Sequence, residues 1–240
     1  NGVIKGVTEL KPAEYLVFGR QTGCKVRQYW SPKAMEHSDD IQTTVEKTRF
    51  FITDAVKRQL VSDVPLCCFL SGGLDSSIIS KIASDAYLAD NKGNLHTYSV
   101  NYVDNQRYFK RSLFQPNSDE EYIRMMASAI RSQHHEVLLH NEDLEKHLTD
   151  AVLARDLPGM ADVDSSLLLF CREIKKEFTV AVSGECADEI FGGYPWYHNR
   201  EILFRDTFPW SHSLEVRQSI LKPGLLTDGE EYVKQRYRDT

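Results

Sequence analysis

The sequence predicts an α/β fold: a parallel twisted sheet with helices on both faces, preceded by a short β-hairpin. Three observations predict it. Short apolar runs alternate with amphipathic stretches of helical period. Those stretches are long enough to be βαβ crossovers, which implies parallel strands. Two glycine- and acid-rich segments, 71–77 and 183–193, follow directly on apolar runs. Ligands of such sheets bind there, beyond the carboxyl ends of the strands.

The hairpin comes first. Tyr15-Leu16-Val17-Phe18 and Val26-Arg27-Gln28-Tyr29-Trp30 flank Gly19-Arg20-Gln21-Thr22-Gly23, a turn bounded by glycines. A two-stranded ribbon is marginal alone, so it is expected to belong to a larger sheet in a chain that begins inside a longer protein. Ser31-Pro32 reads as a linker, giving a boundary between 1–33 and 34–240.

From Asp40 the period changes. Ile41, Val45, Ile52, Ala55 and Val56 predict a helix capped by Ser38 or Asp39 and ended by Asp63-Val64-Pro65. The run Pro65-Leu66-Cys67-Cys68-Phe69-Leu70 is a strand, followed by a helix carrying Ile78, Ile79, Ile82, Ala83 and Ala86. A turn at 91–94 leads to the strand Leu95–Val100, and 101–118 is a polar loop. Ser118-Asp119-Glu120-Glu121 opens a helix with Tyr122, Ile123, Met126, Ala127 and Ile130 inward, and His135–Leu139 is the next strand. Asn141 caps the next helix, with Leu144, Leu148 and Val152. After a Pro158-Gly159 loop, another is capped by Asp164 and carries Leu167, Leu168, Cys171 and Ile174. Thr179–Val182 is the last strand of the sheet.

Composition bounds the function. The 240 residues are 41% hydrophobic and 27% charged, as in a globular protein with a sizeable core. A formal net charge of −6 argues against nucleic acid as a partner. No signal peptide and no apolar run of the roughly eighteen residues a membrane span needs are visible. Cys24, Cys67, Cys68, Cys171 and Cys186 form no CxxC spacing, and free thiols suit a reducing cytoplasm.

Ser71-Gly72-Gly73-Leu74-Asp75-Ser76-Ser77 joins a buried strand to a helix N-terminus, a place to hold a polyphosphate. Its glycines let the backbone approach a ligand, and first-turn N–H groups without helical partners point at an anion. Ser71, Ser76 and Ser77 add hydroxyls. Asp75 would repel phosphate unless Mg²⁺ lay between them. A serine-capped helix after a glycine turn is the simpler reading, but a cap requires one Ser or Asp, whereas this loop uses six residues, its two glycines included.

The second segment, Ser183-Gly184-Glu185-Cys186-Ala187-Asp188-Glu189-Ile190-Phe191-Gly192-Gly193-Tyr194, places Glu185, Asp188 and Glu189 on one face of a short helix. Three like charges at a strand end are costly without a cation. Acids favoured by a helix dipole are the alternative. Two such segments at one sheet edge favour Asp75 and Asp188 as ligands of Mg²⁺ over a polyphosphate. Cys186 has no histidine beside it and reads as a packing residue. His134 and His135, adjacent where a strand begins, have diverging side chains and are expected to divide between surface and core.

SGGLDSS at 71–77 resembles the pyrophosphate loop of the ATP-pyrophosphatase enzymes, and GxxxxGK[ST] is absent. Together with SGECADEIFGGYPWY at 183–197, it resembles the synthetase domain of glutamine-hydrolysing asparagine synthetases. The resemblance implies an adenine nucleotide alpha hydrolase-like fold. Residues 1–33 would be the end of an amidotransferase domain, and 34–240 part of the synthetase domain. It implies activation of aspartate by ATP as β-aspartyl-AMP, pyrophosphate release, and displacement of AMP by ammonia from the chain's own glutaminase domain. By position, Leu70, Val100, Ser183 and Gly184 match ATP contacts, while Ser71, Gly72, Gly73, Ser76 and Ser77 match the pyrophosphate cradle. Asp75 and Asp188 match the magnesium carboxylates, and Glu185 matches a glutamate of acyl-adenylate formation. All three acids are the expected catalytic set. The resemblance also implies a cytoplasmic enzyme and a homodimer.

The chain departs from the family in two places. It starts with Asn1, where the glutaminase nucleophile is an amino-terminal cysteine, so glutaminase activity is not expected in these residues and the fragment alone is expected to be inactive. The loop Asp156-Leu157-Pro158-Gly159-Met160-Ala161-Asp162 lacks the threonine–arginine motif of some members. A synthetase that adenylates another carboxylate, of the β-lactam-forming kind, and a non-catalytic nucleotide-binding module are the alternatives.

Overall fold

The computed structural model describes residues 4–111, 117–157, 159–211, 214–220, 222 and 229–238. The chain divides into two compact units, 1–49 and 50–240.

In the first unit, β1 (Glu14–Gly19) pairs antiparallel with β2 (Gly23–Gln28), with Leu16 opposite Val26 and Gly19 opposite Gly23. β2 ends two residues before the predicted Trp30. The start of α1 (Ile41–Gln59) also lies here. Its cap is Asp40, whose Oδ1 accepts the Thr43 N–H at 2.7 Å. Asp39, one of the two expected caps, is instead bonded by Lys47 Nζ at 2.8 Å.

In the second unit, α1 ends at Gln59, short of Asp63-Val64-Pro65. There follow β3 (Leu66–Phe69), α2 (Leu74–Ala89), β4 (His96–Tyr102), α3 (Asn105–Tyr108), α4 (Glu120–Ile130) and β5 (Gln133–Leu139). The chain continues through α5 (Asn141–Lys146), α6 (Leu148–Arg155), α7 (Ala161–Ile174), β6 (Val180–Val182) and α8 (Ala187–Phe191). Short helical turns and α9 (Arg200–Leu203), α10 (Leu214–Ser219) and α11 (Gly229–Arg238) complete it.

The sheet is parallel with strand order β5-β4-β3-β6. Successive strands β3, β4 and β5 run outward in one direction, whereas β6 returns to the other side of β3. The order therefore reverses between β3 and β6, and a crevice opens there at the carboxyl edge.

The central strand explains why its sequence is apolar throughout. Leu66 and Cys68 pack with Ala83, Leu95, Ile79 and Ala86 on the α2 face. Cys67 and Phe69 pack with Phe170, Ile174 and Phe178 on the α7 face. Both faces are covered, so no polar alternation survives. Leu70, fully buried, closes a third cluster with Ile123 and Ala127 of α4. The Ser84 hydroxyl donates to the Ile130 carbonyl at 3.0 Å, tying α2 to α4.

Several local expectations are corrected. The helix expected after Asn141 is two, broken at His147, whose ring nitrogen bonds the Asp143 carbonyl at 2.8 Å as the chain turns. His140, rather than Asn141, occupies the cap position. α7 starts at Ala161, and Asp164 lies inside it, drawn to Arg155 Nη1 at 2.6 Å. Tyr122 and Leu167 are exposed rather than inward. His134 and His135 point to opposite faces as expected, yet both are half-buried. Within the polar loop α3 forms, and part of that loop (112–116), like Pro158, lies outside the described residues. No helix among the described residues is long and apolar enough to cross a membrane.

Candidate active site

The switch between β3 and β6 determines which turns can meet. β3 delivers Leu70–Gly73 to the carboxyl edge and β6 delivers Ser183–Cys186 beside it. The two turns are in close contact. A Cβ built on Gly184 would lie 3.1 Å from the Ser76 nitrogen and 3.2 Å from the Asp75 Cβ. Between them is a cavity of about 330 Å³. Ser71, Gly73, Asp75 and Ser76 line one side, and Ser183, Gly184, Glu185, Asp188 and Glu189 the other.

The first turn is held by its own hydroxyls. The Ser71 N–H donates to Ser76 Oγ at 3.1 Å, the two hydroxyls are 2.9 Å apart, and Ser76 Oγ donates to the Gly73 carbonyl at 3.3 Å. Ser76 is buried, so its hydroxyl closes the loop. Gly73 caps α2 in extended conformation and its carbonyl accepts the Ser77 N–H at 3.1 Å. Sixteen residues of helix thus aim their N-terminus at the cavity. Gly72 faces away from it, with φ +80° and its α-carbon against the start of α4. Ser77 is also outside the cavity lining.

In the second turn the Ser183 hydroxyl accepts the Glu185 N–H at 3.2 Å. Cys186, at φ +70°, starts α8. Glu185 therefore sits in the turn before α8, and only Asp188 and Glu189 share the helix, a narrower arrangement than three acids on one helical face. The Tyr194 hydroxyl donates to Glu189 Oε1 at 3.1 Å, and this bond raises the phenol's pKa.

Burial, and then the charge of Asp188, push the Asp75 carboxyl above its ordinary range. Two carboxylates lining one cavity beside N–H and hydroxyl donors form a site short of positive charge. An oxygen-ligated cation such as Mg²⁺ between Asp75 and Asp188 suits that donor set, and the helix N-terminus suits the phosphates it would carry.

Leu70 and Val100 line a second cavity of about 360 Å³, which shares Phe69 and Ser71 with the first. The two cavities lie side by side at the carboxyl edge. Asn101, Glu120 and Glu136 also border the second, with Asn101 Nδ2 donating to Glu120 Oε1 at 3.1 Å and to Glu136 Oε1 at 3.0 Å. Sequence reasoning missed these residues. The available signal was their position just past the buried part of β4 and at the matching level of β5.

Comparison with known proteins places the chain among relatives. The family model for asparagine synthase matches residues 47–240. Asparagine synthetase [glutamine-hydrolyzing] 3 of Bacillus subtilis is 48% identical over 100% of this chain and 39% of its own length. A putative asparagine synthetase [glutamine-hydrolyzing] 2 of Methanocaldococcus jannaschii is 28% identical over 82% of this chain and 36% of its own length. The chain thus spans less than half the length of these curated relatives. Among solved structures, NAD+ synthetase from Burkholderia pseudomallei aligns with 64% of this chain and 66% of its own, at 14% identity and a TM-score of 0.35. By the extent of the family match and its identity to the B. subtilis relative, the chain belongs to the asparagine synthase family.

Proposed function

We propose that this chain is the ATP-using synthetase part of a glutamine-hydrolysing asparagine synthetase. It activates the side-chain carboxylate of aspartate with ATP, forming β-aspartyl-AMP and pyrophosphate, and ammonia then displaces AMP to give asparagine. The observation that carries this reading is the junction of the 71–77 and 183–188 turns around one cavity.

Each residue has a role in that scheme. N–H groups of the Ser71–Ser77 loop, with Gly72 and Gly73 permitting its shape, cradle the departing pyrophosphate. Ser71 offers its hydroxyl to the cavity, Ser76 braces the loop and Ser77 continues the first turn. Leu70, Val100, Ser183 and Gly184 line the path of the nucleoside and α-phosphate. Asp75 and Asp188 would hold Mg²⁺, which supplies charge neutralisation on the leaving pyrophosphate. Glu185, at the cavity's opposite wall, orients the reacting carboxylate and ammonia. No protein nucleophile is required, because the attacking groups are the substrate carboxylate and then ammonia. The ammonia comes from a glutaminase domain of the longer protein, in a cytoplasmic enzyme that pairs as a homodimer.

One observation favours a second reading, adenylation of a different carboxylate. The 156–162 loop has no arginine, and neighbouring Arg155 is occupied by Asp164. ATP–pyrophosphate exchange, measured on the chain extended to the length of its relatives, tests both. Aspartate-dependent exchange is the expected result. Exchange with another amino or carboxylic acid alone would establish the second reading, and Mg-ATP binding without exchange would leave a nucleotide-binding module.

A further inference from the structure

At the opposite, amino-terminal edge of the sheet, three potential metal ligands converge away from the carboxyl-edge cavities. His96 opens β4, His135 lies on adjacent β5, and Glu177 is in the connection from α7 to β6. Their ligating atoms all lie within 4.8 Å of one another. His96 Nδ1 and His135 Nε2 face each other at 3.0 Å. Two nitrogens bound to one zinc ion at about 2.0–2.1 Å each stand roughly 3.3 Å apart across a tetrahedral angle, a few tenths of an ångström from the observed separation. We propose that His96, His135 and Glu177 form a binding site for a divalent transition ion of the zinc type, clipping β4 and β5 to the α7–β6 connection.

Three features of the surroundings support a built site. The imidazoles stack with an interplanar angle of 11°, and His135 stacks again on Tyr98 at 11°, so both rings are fixed in orientation. The Gln133 side chain lies beside His96, and Tyr98 lies beside Glu177. Both are outer partners of the kind that orient metal ligands. Beside His135 and Glu177 the surface opens into a cavity of about 700 Å³, leaving room for water to complete a four-coordinate shell. Without metal the imidazoles share a hydrogen, which moves to the other nitrogen of its own ring when both facing nitrogens coordinate, so that each imidazole stays neutral. Two nitrogens and one carboxylate favour zinc over magnesium, so this site and the Asp75–Asp188 pair would take different ions.

The test is titration of the metal-stripped chain with ZnCl₂ by calorimetry, alongside H96Q, H135Q, E177Q and Y98F. One equivalent of zinc is expected, with a rise in melting temperature on loading. H96Q, H135Q and E177Q should lose both responses, while Y98F should weaken binding about tenfold. Glu177 is exposed, so E177Q tests the site even if a histidine variant does not fold. Saturating MgCl₂ should not compete. Cobalt in place of zinc should show no sulfur-to-metal charge-transfer band, since the free thiols are not ligands. Absence of stoichiometric zinc uptake, uptake unchanged in E177Q, or a thiolate band would each overturn the proposal.

Discussion

Gly184 and Asp75 come from turns more than a hundred residues apart, yet a methyl group on Gly184 would press 3.2 Å from the Asp75 Cβ. The Ser76 nitrogen would be 3.1 Å away, and backbone does not yield as a flexible side chain does. Gly184→Ala therefore separates the two turns by a few tenths of an ångström. The expected cost in stability is about 1 kcal/mol, while Mg-ATP affinity falls roughly tenfold, the larger effect because the displaced groups define the cavity. Thermal melts and ATP titrations check the two numbers.

Gly72 should behave in the opposite proportion. At φ +80° a side chain is strained, and a Cβ would meet the Asp119 carbonyl oxygen at 2.9 Å. It packs against α4 and not into the cavity, so Gly72→Ala should cost about 2–3 kcal/mol in urea unfolding. ATP affinity of the fraction that remains folded should change little. Gly72 and Gly184 thus separate loop construction from site geometry.

Ser76→Ala tests whether that hydroxyl braces or binds. Removing it takes the partner of the Ser71 N–H and one of the two hydrogen bonds of the Gly73 carbonyl, at a cost of about 1 kcal/mol. If bracing is its role, Ser76→Cys or Thr should not restore stability fully, and the loss should be present without ATP. A destabilisation visible only with ATP bound would assign the hydroxyl to the phosphates instead.

How far the sequence revealed this architecture depended on the range of the interaction involved. The strand at 66–69 was legible because a core strand covered on both faces must be apolar. The loop 71–77 was legible because its glycines, hydroxyls and acid are contiguous. Cap assignments failed where a side chain had a better distant partner, as Asp164 has in Arg155 and Asp39 in Lys47. Asn101, Glu120 and Glu136 went unnoticed because three strand and helix termini assemble them and no local motif marks them. The His96–His135 pair was hidden likewise, since only the β4–β5 register brings those rings together.

The raised pKa of Asp75 gives a pH dependence with a definite sign. The native state holds the proton more tightly than the unfolded chain, so between the ordinary value of 3.8 and the raised native value it binds more protons. Stability contributed by this residue is present below that window and lost as pH rises through it. Asp75→Asn should therefore raise the melting temperature of the metal-free protein at neutral pH, with little change at pH 3. The same variant should abolish adenylation, because it removes a charge that would hold Mg²⁺. Magnesium should stabilise the parent protein and not the variant. Equal melting temperatures for both across the pH range would remove Asp188 as an electrostatic neighbour.

Thiol chemistry offers a check that requires no turnover. Burial pushes Cys67 and Cys68 up to about 12, and both are shielded within the sheet. They should react with a disulfide reagent at pH 8 only after denaturation. Cys24, Cys171 and Cys186 are exposed and should react in the folded protein. Cys186 alone lines the cavity between the two turns. Mg-ATP should therefore slow labelling of Cys186, by roughly tenfold at a ligand concentration ten times its dissociation constant, and leave Cys24 and Cys171 unaffected. Peptide mapping after a short labelling pulse distinguishes the three. Equal protection of all three would point to a global change in opening, and no protection of Cys186 would place the nucleotide outside the cavity, irrespective of how the catalytic assays behave.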